Sequence, residues 1–187
     1  MLHGVAAVGM TFGLAGCSTP SDGAPSGGGS SHPSAAPTTS SVSTSPATVP
    51  SSVVVEEHGF TSAGNRIFGQ LRRPTGDGRH PVVILSHGFG GNHQQEPHLQ
   101  ELLAQHGVAV YSFDFAGGSG YEPGRSEGAM TDMSVLTEVQ NLQDALTLVK
   151  SLDGVDPARI TLIGASQGGA VTTLVAEQNP AGVEHVV

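Results

Sequence analysis

From Val53 onward, short apolar runs alternate with segments whose apolar residues recur every three or four positions, which predicts strand and helix in turn. Val53-Val54-Val55 and Arg66-Ile67-Phe68-Gly69-Gln70-Leu71 read as two early strands, the second leading to the turn signal Pro74-Thr75-Gly76. Pro81-Val82-Val83-Ile84-Leu85 is apolar throughout, the pattern of a strand buried on both faces. Pro97 to His106 reads as a short helix: Pro97 suits its first turn, Leu99, Leu102 and Leu103 share a face, and Gly107 ends it. Val108 to Phe113 is the next buried strand. Ser134 to Leu152 carries the clearest helical stripe, Val135, Val139, Leu142, Leu146 and Val149. Asp156-Pro157 predicts a break before the strand Ile160-Thr161-Leu162-Ile163. A helix over Gln167 to Gln178 stops at Asn179-Pro180, and Val183 to Val187 begins another strand. Buried strands alternating with amphipathic helices imply the α/β class, a mostly parallel sheet with helices on both faces. The chain is expected to end inside the sixth strand of that sheet.

The periodicity is absent before Val53. Met1 to Gly16 is apolar, rich in small residues and uncharged, the size of the apolar region of an export signal. It closes on Leu14-Ala15-Gly16-Cys17, which resembles the lipobox of bacterial lipoproteins, although His3 stands alone where basic residues are usual. The resemblance implies cleavage before Cys17, acylation of its thiol, and an exported protein held on the outer side of a bacterial cell membrane. From Ser18 to Pro50, 29 of 33 residues are Ser, Thr, Pro, Gly or Ala, too little apolar surface to offset the entropy of ordering. The expected organisation is therefore a signal at 1–16, the anchor cysteine and a linker at 17–52, and one domain at 53–187.

Composition removes several classes. Seven Lys and Arg against sixteen Asp and Glu leave a net charge of −9, the wrong sign for a nucleic-acid partner. The single cysteine rules out a disulfide within the chain and any cysteine-based zinc site. No His-x-x-x-His or carboxylate cluster has ligand spacing, so neither metal nor cofactor is expected.

Gly-x-Ser-x-Gly occurs twice, as Gly124-Arg125-Ser126-Glu127-Gly128 and as Gly164-Ala165-Ser166-Gln167-Gly168. The motif works where a buried strand delivers the serine into a tight turn and a helix leaves at once. Ser126 has neither strand before it nor helix after it, and reads as a loop residue. Ser166 has both, and is the expected nucleophile. The earlier strand end, Ser86-His87-Gly88-Phe89-Gly90-Gly91-Asn92, is a glycine-rich turn able to aim backbone N–H groups at a developing oxyanion. The natural donors are Phe89 and Gln167, the latter also opening a helix whose positive end favours an anion.

With Phe113-Asp114-Phe115-Ala116-Gly117-Gly118-Ser119, these two stretches resemble the α/β-hydrolase superfamily from about Val53 onward, nearest to bacterial cinnamoyl/feruloyl-esterase-like enzymes and their S9/S33-peptidase-like relatives. The resemblance implies a serine hydrolase that cleaves a carboxylic ester through an acyl-enzyme. Ser166 is then the nucleophile, Phe89 and Gln167 form the oxyanion hole, and the substrate is a small-molecule or carbohydrate-linked ester. It makes Asp114 a structural aspartate after a strand. A peptidase of the same fold and a non-catalytic surface lipoprotein are the alternatives. In the superfamily the acid and histidine follow the nucleophile, so both are expected outside this chain. His58, His80, His87, His93, His98, His106 and His185 read as structural or surface residues. Asp132, Glu138, Asp144 and Asp153 read as loop, helix-surface and helix-end charges.

Overall fold

The computed structural model describes residues 52–118 and 124–187. The expected signal, Cys17 and the linker up to residue 51 lie outside the described residues.

Among the described residues, eight strands and three α-helices follow one another as β1 (Val53–Glu57), β2 (Phe60–Ser62), β3 (Asn65–Ile67), β4 (Gly69–Pro74), β5 (His80–Ser86), α1 (Pro97–Gln105), β6 (Ala109–Phe113), α2 (Val135–Val149), β7 (Val155–Gly164), α3 (Gln167–Ala176) and β8 (Val183–Val186). Six strands form one sheet in the order β1-β4-β6-β5-β7-β8. β6, β5, β7 and β8 run parallel, while β1 and β4 pair antiparallel at one side. β2 and β3 make a separate hairpin.

Alternation along the central strands divides the interior into two layers. Ala109, Tyr111 and Phe113 of β6 join Val82 and Ile84 of β5 in the main core against Leu142, Leu146 and Val149 of α2 and Val171 of α3. The intervening Ser112 points to α1, where its hydroxyl donates to Gln100 Oε1. Helices thus cover both faces, as the buried runs imply. α2 begins with a capping box, Ser134 Oγ accepting from the Thr137 N–H and Thr137 Oγ1 from the Ser134 N–H, which satisfies two otherwise orphaned donors.

Three expectations need correction. The early strand over Arg66–Leu71 is two strands. Asn65–Ile67 folds back on β2, the chain changes partner at Phe68, and Gly69 onward joins the main sheet. Asp156-Pro157 does not precede the strand but lies within β7: the pairing slips between His80–Val155 and Val82–Ile160, and the extra residues bulge out. Asp156 holds that excursion, accepting from the Ala158 N–H and pairing with Arg159. Glu138 is no surface charge. It is 1% exposed, on the core side of α2 with Asn141, because the apolar stripe occupies only part of the face that α3 and β2 cover.

Candidate active site

β5 and β7 are parallel neighbours, with Ser86 opposite Gly164, so the two glycine-rich turns leave the sheet side by side at its carboxyl edge. The Ala165 N–H donates to the Ser86 carbonyl and stitches them together. Side chains are excluded where they meet. A Cβ on Gly88 would lie 3.3 Å from both the Ala165 carbonyl oxygen and Ser166 Cβ. One on Gly164 would run into the Gly168 carbonyl and Thr172 Oγ1, and one on Gly168 into the Ser86 carbonyl. Both glycines of the second pentapeptide are therefore set by backbone-to-backbone approach.

Ser166 stands at the apex of this turn with φ 52° and ψ −116°, a conformation that typically costs a non-glycine residue about 1–3 kcal/mol. The residue is exposed, and its hydroxyl makes no hydrogen bond within the described residues. Phe89 is in the facing turn, its side chain half exposed. Neither the Phe89 nor the Gln167 backbone N–H donates a hydrogen bond among the described residues. Two unoccupied donors beside an unoccupied hydroxyl suit an anion forming between them.

The glycine turn is held from below. The Gly88 N–H donates to Gln95 Oε1, and Gln100 Nε2 donates to the carbonyls of His93 and Gln95. His87 is buried, and its Nε2 accepts from the Phe115 N–H at 3.0 Å. The ring proton therefore sits on Nδ1, which donates to the Gly88 carbonyl. Burial pushes the His87 pKa down and favours this neutral tautomer, against smaller opposing effects of the Gly88 carbonyl and Asp114. His87 is a strut for the turn.

The expectation that an acid and a histidine must lie outside the chain is overturned. His93 Nδ1 lies 2.7 Å from Asp114 Oδ1, and both residues are buried. Ser86, also buried, has a hydroxyl with no hydrogen-bond partner and lines the same cavity of about 70 Å³ as His93, beside Leu99 and Ile163. A Ser86–His93–Asp114 constellation, with the residue types of a catalytic triad, is thus present within the chain. Sequence reasoning missed it because the order is serine, histidine, aspartate, and because Ser86 and His93 lie at and after the end of β5 while Asp114 follows β6, strands that only the sheet makes neighbours. The available signal was Asp114, a carboxylate flanked by Phe113 and Phe115 at the end of a buried strand.

Asp114 is also a structural hub. Oδ1 accepts the His93 N–H as well as the ring proton, and Oδ2 accepts the Arg125 N–H. Burial alone would raise its pKa, but these hydrogen bonds, led by the His93 ring, outweigh it and hold the carboxyl below its usual value. Ser126 follows directly. Its Oγ accepts the Phe68 N–H at 2.8 Å and donates to the Asp114 carbonyl at 2.7 Å. Among the described residues, no group of three His, Cys, Asp or Glu side chains is placed to hold a metal ion.

Comparison with known proteins agrees with this architecture. An uncharacterized protein of Mycobacterium tuberculosis is 33% identical over 128 residues, covering 68% of this chain and 41% of its own length. The quorum-quenching protein AidA of Acinetobacter baumannii is 28% identical over 112 residues, 59% of this chain and 35% of AidA. Among solved structures, Est1E from Butyrivibrio proteoclasticus with ferulic acid bound superposes with a TM-score of 0.60 at 28% identity, over 69% of this chain and 50% of Est1E. The chain spans half or less of the length of each of these relatives. The model of the alpha/beta hydrolase fold matches residues 81–187, which include both glycine-rich turns and every parallel strand of the sheet except the first residue of β5, His80, and the chain belongs to that family.

Proposed function

We propose that this chain acts as a serine hydrolase on a carboxylic ester, with Ser166 as the nucleophile. The observation that carries the proposal is the backbone of Ser166, at φ 52° between β7 and α3, with the free N–H groups of Phe89 and Gln167 nearby. Ser166 Oγ attacks the ester carbonyl, and the two N–H groups receive the negative charge of the tetrahedral intermediate. The proton from Oγ passes to a histidine and then to the departing alcohol, leaving an acyl-serine that water hydrolyses. His93, held by Asp114, is the histidine–carboxylate pair that the described residues offer for this role. Ferulic acid, bound in the related Est1E, is a carboxylic acid of the kind such a reaction releases.

Ser86 is a second candidate nucleophile, favoured by its unpartnered hydroxyl in the cavity that His93 lines. A fluorophosphonate probe applied to the full chain separates the two. Labelling lost in Ser166→Ala and kept in Ser86→Ala supports Ser166, and the reverse supports Ser86. No labelling of the wild type sinks both and favours a ligand-binding role. His93→Gln should lower the labelling rate by about 10²-fold or more if His93 is the base.

We also propose that Cys17 carries a lipid anchor and that the protein is exported, on the strength of Leu14-Ala15-Gly16-Cys17. Detergent-phase partitioning that is unchanged in Cys17→Ala would refute the anchor.

A further inference from the structure

Glu138 is a buried carboxyl that the reaction outlined above does not use. It lies in the first turn of α2, directly after the capping-box residue Thr137, and is 1% exposed. Its Oε2 accepts from Gln167 Nε2 at 2.7 Å. Gln167 is the first residue of α3 and the one that follows Ser166. Among the described residues the carboxyl has no charged partner: α3 carries no charged side chain from Gln167 to Ala176, and neither does β2, another element packed on α2. An unpaired carboxyl in such a place is costly, and a leucine at the same turn of α2 would bury itself freely. Burial pushes the Glu138 pKa up, with the Gln167 amide opposing it. The cost is tied to one contact, and that contact is with the residue whose N–H the proposed function assigns to the oxyanion hole.

The geometry points to Glu138 as a positioning residue that, by holding the Gln167 side chain, fixes the direction of the Gln167 backbone N–H in the oxyanion hole. It touches neither substrate nor Ser166. In the first turn of α3 the Gly168 and Gly169 N–H groups bond back to the Ala165 and Ser166 carbonyls, whereas Ser166 gives no side-chain cap and the Gln167 N–H has no partner among the described residues. The side-chain clamp from α2 holds Gln167, the one residue of this turn whose own N–H is left unbonded. The inference rests on Ser166 being the nucleophile.

The experiment compares wild type, Glu138→Ala, Glu138→Gln, Gln167→Ala and the double alanine variant as full chains, using p-nitrophenyl acetate and its thiono analogue. Glu138→Ala is expected to lower kcat by about 10- to 100-fold with KM little changed, below the 10²–10³ for outright loss of an oxyanion donor. It should also narrow the preference for the oxo ester over the thiono ester, a signature that loosened packing alone does not produce. Glu138→Gln, which can still accept from Gln167, should recover most of kcat. The double variant should be no worse than either single one. A folded Glu138→Ala protein with kcat within twofold of wild type, or additive losses in the double variant, would overturn the inference. The Gln167 backbone amide resonance in a two-dimensional NMR spectrum gives a readout without turnover. It should shift in Glu138→Ala and return toward wild type in Glu138→Gln, and an unmoved resonance also overturns the inference. A wild type without Ser166-dependent turnover refutes the hydrolase reading instead, and the amide resonance still decides whether Glu138 governs Gln167.

Discussion

In Gly124–Gly128 the central serine is consumed by the backbone around it, its hydroxyl bridging the Phe68 N–H and the Asp114 carbonyl. In Gly164–Gly168 the central serine hydroxyl bonds to nothing among the described residues and stands exposed on a strained turn. The glycines differ as well. Gly128 combines a φ of 108° with backbone of Gly117 and Ala116 at 3.0–3.3 Å from a Cβ, whereas Gly164 and Gly168, without a positive φ, are needed because their neighbours leave no room for a Cβ at all. The first pentapeptide is a clasp. Glu127 exchanges backbone and side-chain bonds with Arg66, the Arg125 N–H reaches Asp114, and the Arg125 guanidinium lies 3.7 Å from the centre of the Phe68 ring. Together they hold the point where the chain leaves the hairpin for the main sheet. Identical spacing therefore serves opposite ends, and the neighbouring elements decide which. A serine held by two backbone partners has no freedom to attack, while one held by none at a strand-to-helix turn is free for the role proposed above.

Substitutions should separate the two regions, beginning with the largest effect. Gly168→Val drives a side chain into the Ser86 and His87 carbonyls and should destabilise the domain by about 3 kcal/mol or more, measured by denaturant unfolding. Gly128→Val, strained by its φ and meeting the Gly117 backbone N only at 3.0 Å, a looser approach than Gly168 has to the Ser86 carbonyl, should cost less. Equal losses would dissolve the distinction between the two glycine roles.

Asp114→Asn comes next, at about 2 kcal/mol near neutral pH, because hydrogen bonds to a charged acceptor are lost or weakened. The sign with pH follows from a folded-state pKa below the unfolded one. The wild-type advantage is present above the ordinary carboxylate value, about 3.9, and disappears as pH falls through the lower folded value. Melting curves of the two proteins should therefore converge on acidification below pH ~4. Curves that stay parallel would show that Asp114 is not bound as described.

Ser126→Ala leaves the Phe68 N–H without its acceptor and should cost about 1–2 kcal/mol, with no loss of fluorophosphonate labelling. Ser166→Ala should do the opposite, abolishing labelling with little change in stability. A labelling defect in Ser126→Ala would erase the contrast between the two serines. The smallest effect belongs to Arg125→Met. Its ion pair with Glu57 is largely exposed, so the melting temperature should fall slightly and the difference should vanish in high salt.

The two turns were legible in the sequence to different depths. Ser166 could be placed because the strand-like run Ile160-Thr161-Leu162-Ile163 and a helical pattern flank its pentapeptide, and both signals are local. The strand pairing around Phe68 was not legible: a six-residue stretch of strand-like composition serves two different sheets, and the change is enforced by Ser126 and Asp114 from more than forty residues away. The bulge at Asp156-Pro157 was half legible. Its turn chemistry is local, but the strand continues through it because β5 supplies partners on both sides of the slip.

What the sequence by itself determined is what periodicity and local stereochemistry control: the α/β class, the buried central strands, the long stripe of α2, and a serine at a strand-to-helix junction. What only the tertiary structure decided is which polar residues meet. His93 and Asp114 are separated by α1 and β6 in the chain, and Glu138 and Gln167 by most of α2 and all of β7, yet each pair shares a hydrogen bond of 2.7 Å. The reason is physical. Burial of apolar groups is a sum over many interchangeable contacts and leaves a repeating trace in the chain. A hydrogen bond between two buried polar groups depends on one distance and one direction, which exist only after the sheet has ordered its strands.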